Sequence, residues 1–237
     1  MNKNLWLLAL CQGLFLTNNV VFIAINGLVG LQLAPFGWMA TLPVMGYVVG
    51  GALSTPLVAQ SQARWGRKVS FQIGLAVAVV SAALCAWAAF SASFWLLCTA
   101  TVVAGYYSAN GGLYRFAAAE LAKPDYREKA VSLVLAGGLL GAVAGPNLAS
   151  ATRTLFPVPF AGAYIALIGV ALLSMLCMAA IRFEAQPVVL NAAGQREQGR
   201  SLKVLMRQPA FIVAIVGAAL GYGVMNLLMA ATPLAMQ

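Results

Sequence analysis

Neutral hydrogen-bonding side chains recur at helical spacing in this chain, and they bound the chemistry it can do. Gln12, Asn19 and Asn26 lie seven residues apart and share one helix face, with Asn18 beside them. Tyr107, Asn110 and Tyr114 share a second face, and Tyr222 and Asn226 a third. Amides and phenols recognise a partner by hydrogen bonding and stacking, without charge. Facing lipid, the amides would be costly. Facing another helix, they join it. Facing a cavity, they hold a neutral solute, so these eight residues are the expected contacts of a small-molecule substrate. Groups for bond-breaking chemistry are missing. The chain has no His, and no Asp or Glu falls in the middle of an apolar run. Cys11, Cys85, Cys98 and Cys177 stand singly inside apolar runs, with no Cys-x-x-Cys pair. The expectation is no catalytic residue, no metal and no cofactor.

The elements that must carry these residues are set by charge. Of the residues, 62% are hydrophobic and 8% charged, against roughly 25% charged in a soluble domain. No charge occurs between Lys3 and Arg64, and later charges come in tight clusters. The intervening apolar runs are about 20 residues long, the length of a helix that crosses a bilayer. Seven spans are predicted, at 5–30, 38–60, 69–90, 94–116, 131–151, 161–181 and 209–234. The class is all-α integral membrane protein, with lipid as an obligatory partner.

Orientation follows from the cations. Lys3, then Arg64, Arg67 and Lys68, then Lys123, Arg127 and Lys129, then Arg182, Arg196, Arg200, Lys203 and Arg207 all fall on one side of a seven-span layout. The opposite side holds Arg153, and Arg115 sits near the end of span 4. The positive-inside rule places the N-terminus in the cytoplasm. The net charge of +9 is accounted for by this asymmetry, and no nucleic-acid partner is expected. Residues 182–208 are polar and read as a cytoplasmic linker. The expected organisation is a six-helix bundle over 1–181, the linker, and a seventh span over 209–237 that begins a second bundle.

Three motifs carry further information. Gly66 within Ala63-Arg64-Trp65-Gly66-Arg67-Lys68 permits a tight turn. Gly137, Gly141 and Gly145 recur every four residues and are followed by Pro146, a groove into which a neighbouring backbone can fit. Arg115 and Glu120 form a charged pair of positions at the end of span 4.

The first motif resembles the loop signature of the major facilitator superfamily, Gly-x-x-x-Asp-Arg-x-Gly-Arg-Arg/Lys. It matches at Arg64, Gly66, Arg67 and Lys68, while Ala59 and Ala63 stand where the family has Gly and Asp. Gly141-x-x-x-Gly145-Pro146 resembles the family's span-5 motif, with Ala149 and Ser150 in place of its last glycines. Arg115 resembles the family's span-4 arginine. The resemblance implies a six-helix bundle of two three-helix repeats plus a seventh helix. It also implies a secondary transporter that works by alternating access in a bacterial inner membrane. Residues 64–68 would form a gating loop, with Glu120 pairing with Arg67 or Arg64. Coupling to protons or by exchange both remain open, and a proton carrier would be Glu120 or a group outside this chain. The chain is expected to be incomplete; should it truly end at Gln237, a half-transporter working as a homodimer or an inactive remnant is expected. A seven-span receptor or scaffold that moves nothing is the alternative.

Overall fold

A computed structural model describes residues 3–183, 204 and 206–235. The expected linker, 182–208, lies largely outside the described residues, with Arg196, Arg200 and Lys203 among those left out. The chain divides into two units, Met1–Phe183 and Glu184–Gln237.

The first unit is a helical bundle, and no strand occurs among the described residues. Its helices are α1 (Lys3–Leu33), α2 (Leu42–Phe90), α3 (Phe94–Gly111), α4 (Tyr114–Leu121), α5 (Arg127–Thr152) and α6 (Ala161–Ala180). Helix α7 (Pro209–Ala235) belongs to the second unit. Five stretches among the described residues are long and apolar enough to cross a membrane: Lys3–Leu33, Gly37–Phe90, Pro124–Thr152, Ala161–Ala180 and Pro209–Leu228.

Two span boundaries differ from the sequence reading. The expected spans 38–60 and 69–90 are joined without a loop. Both run inside α2, whose single non-helical residue is Gly66 at φ 79°, ψ 169°. One residue in the left-handed region turns the chain sharply enough to fold one arm back along the other. Span 4 was expected to continue to residue 116, but α3 stops at Gly111 and α4 starts afresh at Tyr114. Tyr106, Tyr107, Ser108 and Asn110 keep α3 out of the most apolar group.

Close packing explains how the bundle holds. In lipid there is little apolar gain in joining two apolar helices, so dispersion and short backbone approaches must do it. Helices α1 and α5 run parallel at such an approach. A methyl group on Gly137 would overlap the Ala9 carbonyl oxygen, and one on Gly141 would overlap that of Gly13. Further along, Gly145 lies against Val20. Thr17 sits in this seam, its hydroxyl donating to the Gly13 carbonyl at 2.9 Å. A second seam of the same kind joins α3 to the first arm of α2, where Gly50 abuts the Val102 backbone and Gly105 abuts Gly50 and Gly51. Helix α6 runs antiparallel to α1. Asn4 reaches the Arg182 carbonyl at 2.9 Å, and Asn26 accepts from the Tyr164 hydroxyl at 2.8 Å.

Phe15 is the centre of the buried core. Its ring meets Tyr107 edge-on at 5.4 Å and Tyr114 at 5.9 Å, and Tyr114 meets Phe71 at 4.9 Å. Gly111 leaves the room that this ring occupies. Each such pair contributes roughly 0.5–1.5 kcal/mol beyond its packing.

The α1–α5 seam gives the first prediction. Gly141→Leu forces these helices apart. The expected result is a lower melting temperature for the detergent-solubilised protein, corresponding to about 1–3 kcal/mol or more of overpacking. Gly169→Leu, where no atom lies near the added carbon, is expected to leave it unchanged.

Candidate functional site

The polar residues of the sequence separate into three groups once the helices are packed. Asn26, Tyr107, Asn110 and Tyr114 are fully or almost fully buried inside the bundle. Asn26 is satisfied on both sides, donating to the Phe22 carbonyl at 2.7 Å and accepting from Tyr164. Asn110 donates to the Tyr106 carbonyl at 3.2 Å and accepts from the Ser70 hydroxyl at 3.1 Å. Tyr107 and Tyr114 are brought together around Phe15. These four therefore sit in helix contacts rather than on an open face.

Gln12 and Asn19 form the second group. Gln12 is 7% exposed, and its carbonyl oxygen has no hydrogen-bond partner within the described structure. Asn19 is half-buried, one residue before the Val20 contact with Gly145. Two exposed polar residues that the sequence reading passed over lie on other helices. Thr55 lies midway along the first arm of α2, and Asn147 follows Pro146 in α5. Thr55 donates to the Gly51 carbonyl at 3.0 Å, and the Asn147 amide nitrogen donates to the Val143 carbonyl at 2.8 Å. Since α5 turns its glycines onto α1, residues such as Leu139, Leu140 and Asn147 are left on its open side. The signal for Asn147 was present in the sequence as an amide in an apolar run.

Tyr222 and Asn226 form the third group, on α7 in the second unit. The Asn226 amide nitrogen donates to the Tyr222 carbonyl at 2.8 Å, so the pair forms one helical turn.

The charged residues gather at one end of the first unit. Arg67, just past the Gly66 break, makes a two-pronged ion pair with Glu120 of α4 and donates to Gln62 at 2.9 Å. A planar guanidinium on a carboxylate is the geometry that gives such pairs both strength and direction. Lys68 donates to the Ala179 carbonyl at 2.6 Å, at the C-terminal end of α6, where a cation also complements the helix dipole. The bend in α2 is thereby tied to α4 and to α6. Arg115 does not join Glu120: it is exposed, and its guanidinium lies over the Phe116 ring at 5.0 Å. Both residues lie on α4, five positions apart and so on different faces of the helix, and Arg67 holds the carboxylate. Arg153, at the other end, stacks on Phe160 at 5.2 Å.

A chain of hydroxyls was not visible in the sequence. Tyr106 donates to Ser61 at 3.3 Å, Ser61 bonds Ser70 across the bend, and Ser70 reaches Asn110. Ser61 and Ser70 are nine residues apart, which no helical period brings together. Only the fold-back at Gly66 does so.

A bundle of membrane-length helices, with charge at its ends and neutral polar groups along its spans, is a multi-pass membrane protein. The chain belongs to the Major Facilitator Superfamily, whose family model matches residues 5–237. It is similar to the riboflavin transporter RfnT of Brucella anthropi, 32% identical over 237 residues, covering 99% of this chain and 58% of that protein. It is also similar to two uncharacterized MFS-type transporters of Bacillus subtilis. YdeG is 27% identical over 192 residues, 81% of this chain and 40% of YdeG; YddS is 31% identical over 110 residues, 46% and 25% respectively. The chain thus spans little more than half the length of the Brucella relative and less of the others.

The bracing at the bend gives the second prediction. Arg67→Ala or Glu120→Ala alone is expected to lower thermal stability and shift the accessibility of a probe cysteine placed near Gly66. The double variant is expected to be no worse than the worse single one, a coupling of about 0.5–3 kcal/mol in a double-mutant cycle. Simple additivity would show that the pair carries no weight.

Proposed function

We propose that this chain supplies the N-terminal bundle, a linker and the first helix of the C-terminal bundle of a secondary transporter for a small neutral solute. One observation carries the reading: Asn19, Thr55 and Asn147 offer neutral hydrogen-bonding groups along the spans, while cations and carboxylates are held at the ends. Exposed amides among apolar helices are stabilised by water, protein or a polar solute, and are penalised by lipid. Transporters built from two such bundles place the solute between them near the midplane and expose it alternately to each side. Gln12, with an uncommitted buried amide oxygen, is a further contact.

Riboflavin is the first solute to test. Support comes from the similarity to RfnT along 99% of this chain and from chemistry. Riboflavin is uncharged near neutral pH, with a flat ring bearing amide-like edges and a polyhydroxyl tail. Side-chain amides and hydroxyls suit such a molecule better than fixed charges would. A cytoplasmic N-terminus in a bacterial inner membrane is supported by the loop cations through the positive-inside rule. Residues 64–68 serve as the gating segment, braced by the Arg67–Glu120 pair. With Glu120 committed to that pair, a proton carrier would lie in the remainder of the protein, and solute exchange or gradient-driven movement needs none.

The test is uptake of radiolabelled riboflavin by the full-length protein in a riboflavin-auxotrophic bacterium that lacks its own importer. Growth on micromolar riboflavin and saturable uptake are expected. Asn19→Ala and Asn147→Ala are expected to raise KM by about tenfold, the effect of losing one hydrogen bond to solute, with membrane yield unchanged. Uptake no greater than in empty-vector cells would exclude riboflavin. Unchanged KM in both variants would remove these residues from the site.

A further inference from the structure

Arg67 presents its guanidinium to two elements at once. Its Nε and Nη2 edge meets both carboxylate oxygens of Glu120 on α4, and its Nη1 donates to the Gln62 amide oxygen at 2.9 Å. Gln62 precedes the break at Gly66 and Arg67 follows it. In an unbroken helix, side chains five residues apart point about 140° away from each other. The left-handed turn at Gly66 is what lets these two meet. One planar group thereby joins the first arm of α2, the second arm and α4, and bonds on two of its edges fix its plane.

An amide at position 62 has a cost that identifies its role. A guanidinium carries donors and no acceptor, so the amide must turn its oxygen towards Arg67 and its nitrogen away. That nitrogen is buried and has no acceptor among the described residues. An unpaired buried N–H is unfavourable, and an aliphatic side chain of similar size would remove it. Stability alone therefore gives no reason for an amide here, whereas the bond to Arg67 does. A carboxylate at 62 would also supply an oxygen, but it would contest the charge of Arg67 with Glu120. The neutral amide holds the guanidinium and leaves its charge to α4.

We infer that Gln62 is a positioning residue of the 64–68 segment: it holds Arg67 across the bend at the angle from which Arg67 meets Glu120, so that the bend and α4 keep one relative placement. The inference rests on the reading of residues 64–68 as the gating segment. The positioning itself is read without any transport step, so the two can fail separately.

The full-length protein is purified in a neutral detergent, and two quantities are followed: its melting temperature, and the rate at which a charged maleimide labels a probe cysteine at the exposed position 65 (Trp65→Cys). Gln62→Leu removes the acceptor and the orphaned N–H together. It is expected to keep the melting temperature close to the parent's while raising the labelling rate as far as Arg67→Ala does. Gln62→Glu, which keeps an oxygen for Arg67, is expected to label like the parent. The decisive variant moves the carboxylate. Glu120→Gln is expected to lower the melting temperature, and adding Gln62→Glu to it is expected to recover most of that loss, whereas Gln62→Glu in the parent gives no gain. Labelling of Gln62→Leu at the parent's rate would overturn the inference. So would a fall in its melting temperature as large as that of Arg67→Ala, which would make Gln62 an ordinary stabilising contact. Failure of Gln62→Glu to rescue Glu120→Gln, or an equal gain in the parent, would show that positions 62 and 120 do not share Arg67 and would overturn it too. With labelling and rescue as expected, uptake of radiolabelled riboflavin by Gln62→Leu equal to the parent's would keep Gln62 as the positioning residue of Arg67 and remove the gating role from residues 64–68.

Discussion

The fold rests on one steric constraint: α1 and α5 pack backbone against backbone. The carbonyl oxygens of Ala9 and Gly13 occupy the space where side chains of residues 137 and 141 would be. In a medium as apolar as the side chains themselves, such contact supplies dispersion that looser packing forfeits. It also fixes the rotation of both helices about their axes. With the glycine face of α5 committed to α1, Asn147 is turned outward. With the matching face of α1 committed to α5, Phe15 is left to pack on Tyr107 and Tyr114. The Gly50–Gly105 contact does the same for α2 and α3. First and fifth spans, and second and fourth, are thus joined by the same device, as two three-helix repeats sharing one packing scheme would be.

At the charged end, the bend at Gly66 concentrates the bundle's specific polar bonds. Arg67 reaches α4, Lys68 reaches α6, and Ser61 reaches Ser70. None of these depends on the Asp that the family's loop signature carries and that Ala63 replaces here. Glu120 serves Arg67 instead, and the cation pattern and the glycine break persist around the substitution.

Much of this was legible in the sequence because membrane helices are written in composition. Run length and cation placement set the spans, and α1, α5, α6 and α7 begin and end within a few residues of expectation. The two departures have physical causes. Spans 2 and 3 merge because a single positive-φ glycine reverses direction without a loop, and span 4 is interrupted only by a turn at Gly112 and Leu113, both still in the right-handed helical region, which hydropathy does not record. Glycines repeating every four residues lie on the tight face of α5, and the facing side of α1 carries the same spacing in Ala9, Gly13 and Thr17, a weaker signal because only one of the three is glycine. Tertiary bonds between residues at no helical spacing, such as Ser61–Ser70, leave no periodic trace at all.

Gln12, Asn19 and Asn26 show why a shared face is not a shared role. A seven-residue step falls about 20° short of two full turns, so the three drift around α1 as it rises. Partner helices also change along the way. Antiparallel α6 brings Tyr164 to the level of Asn26 and closes its hydrogen bonds, while Gln12 lies against Gly138 of α5. The amide that meets a phenol becomes a joint between helices; the one that meets glycine keeps an amide oxygen without a partner. The glycine seam thus bears directly on which polar groups of α1 find protein partners.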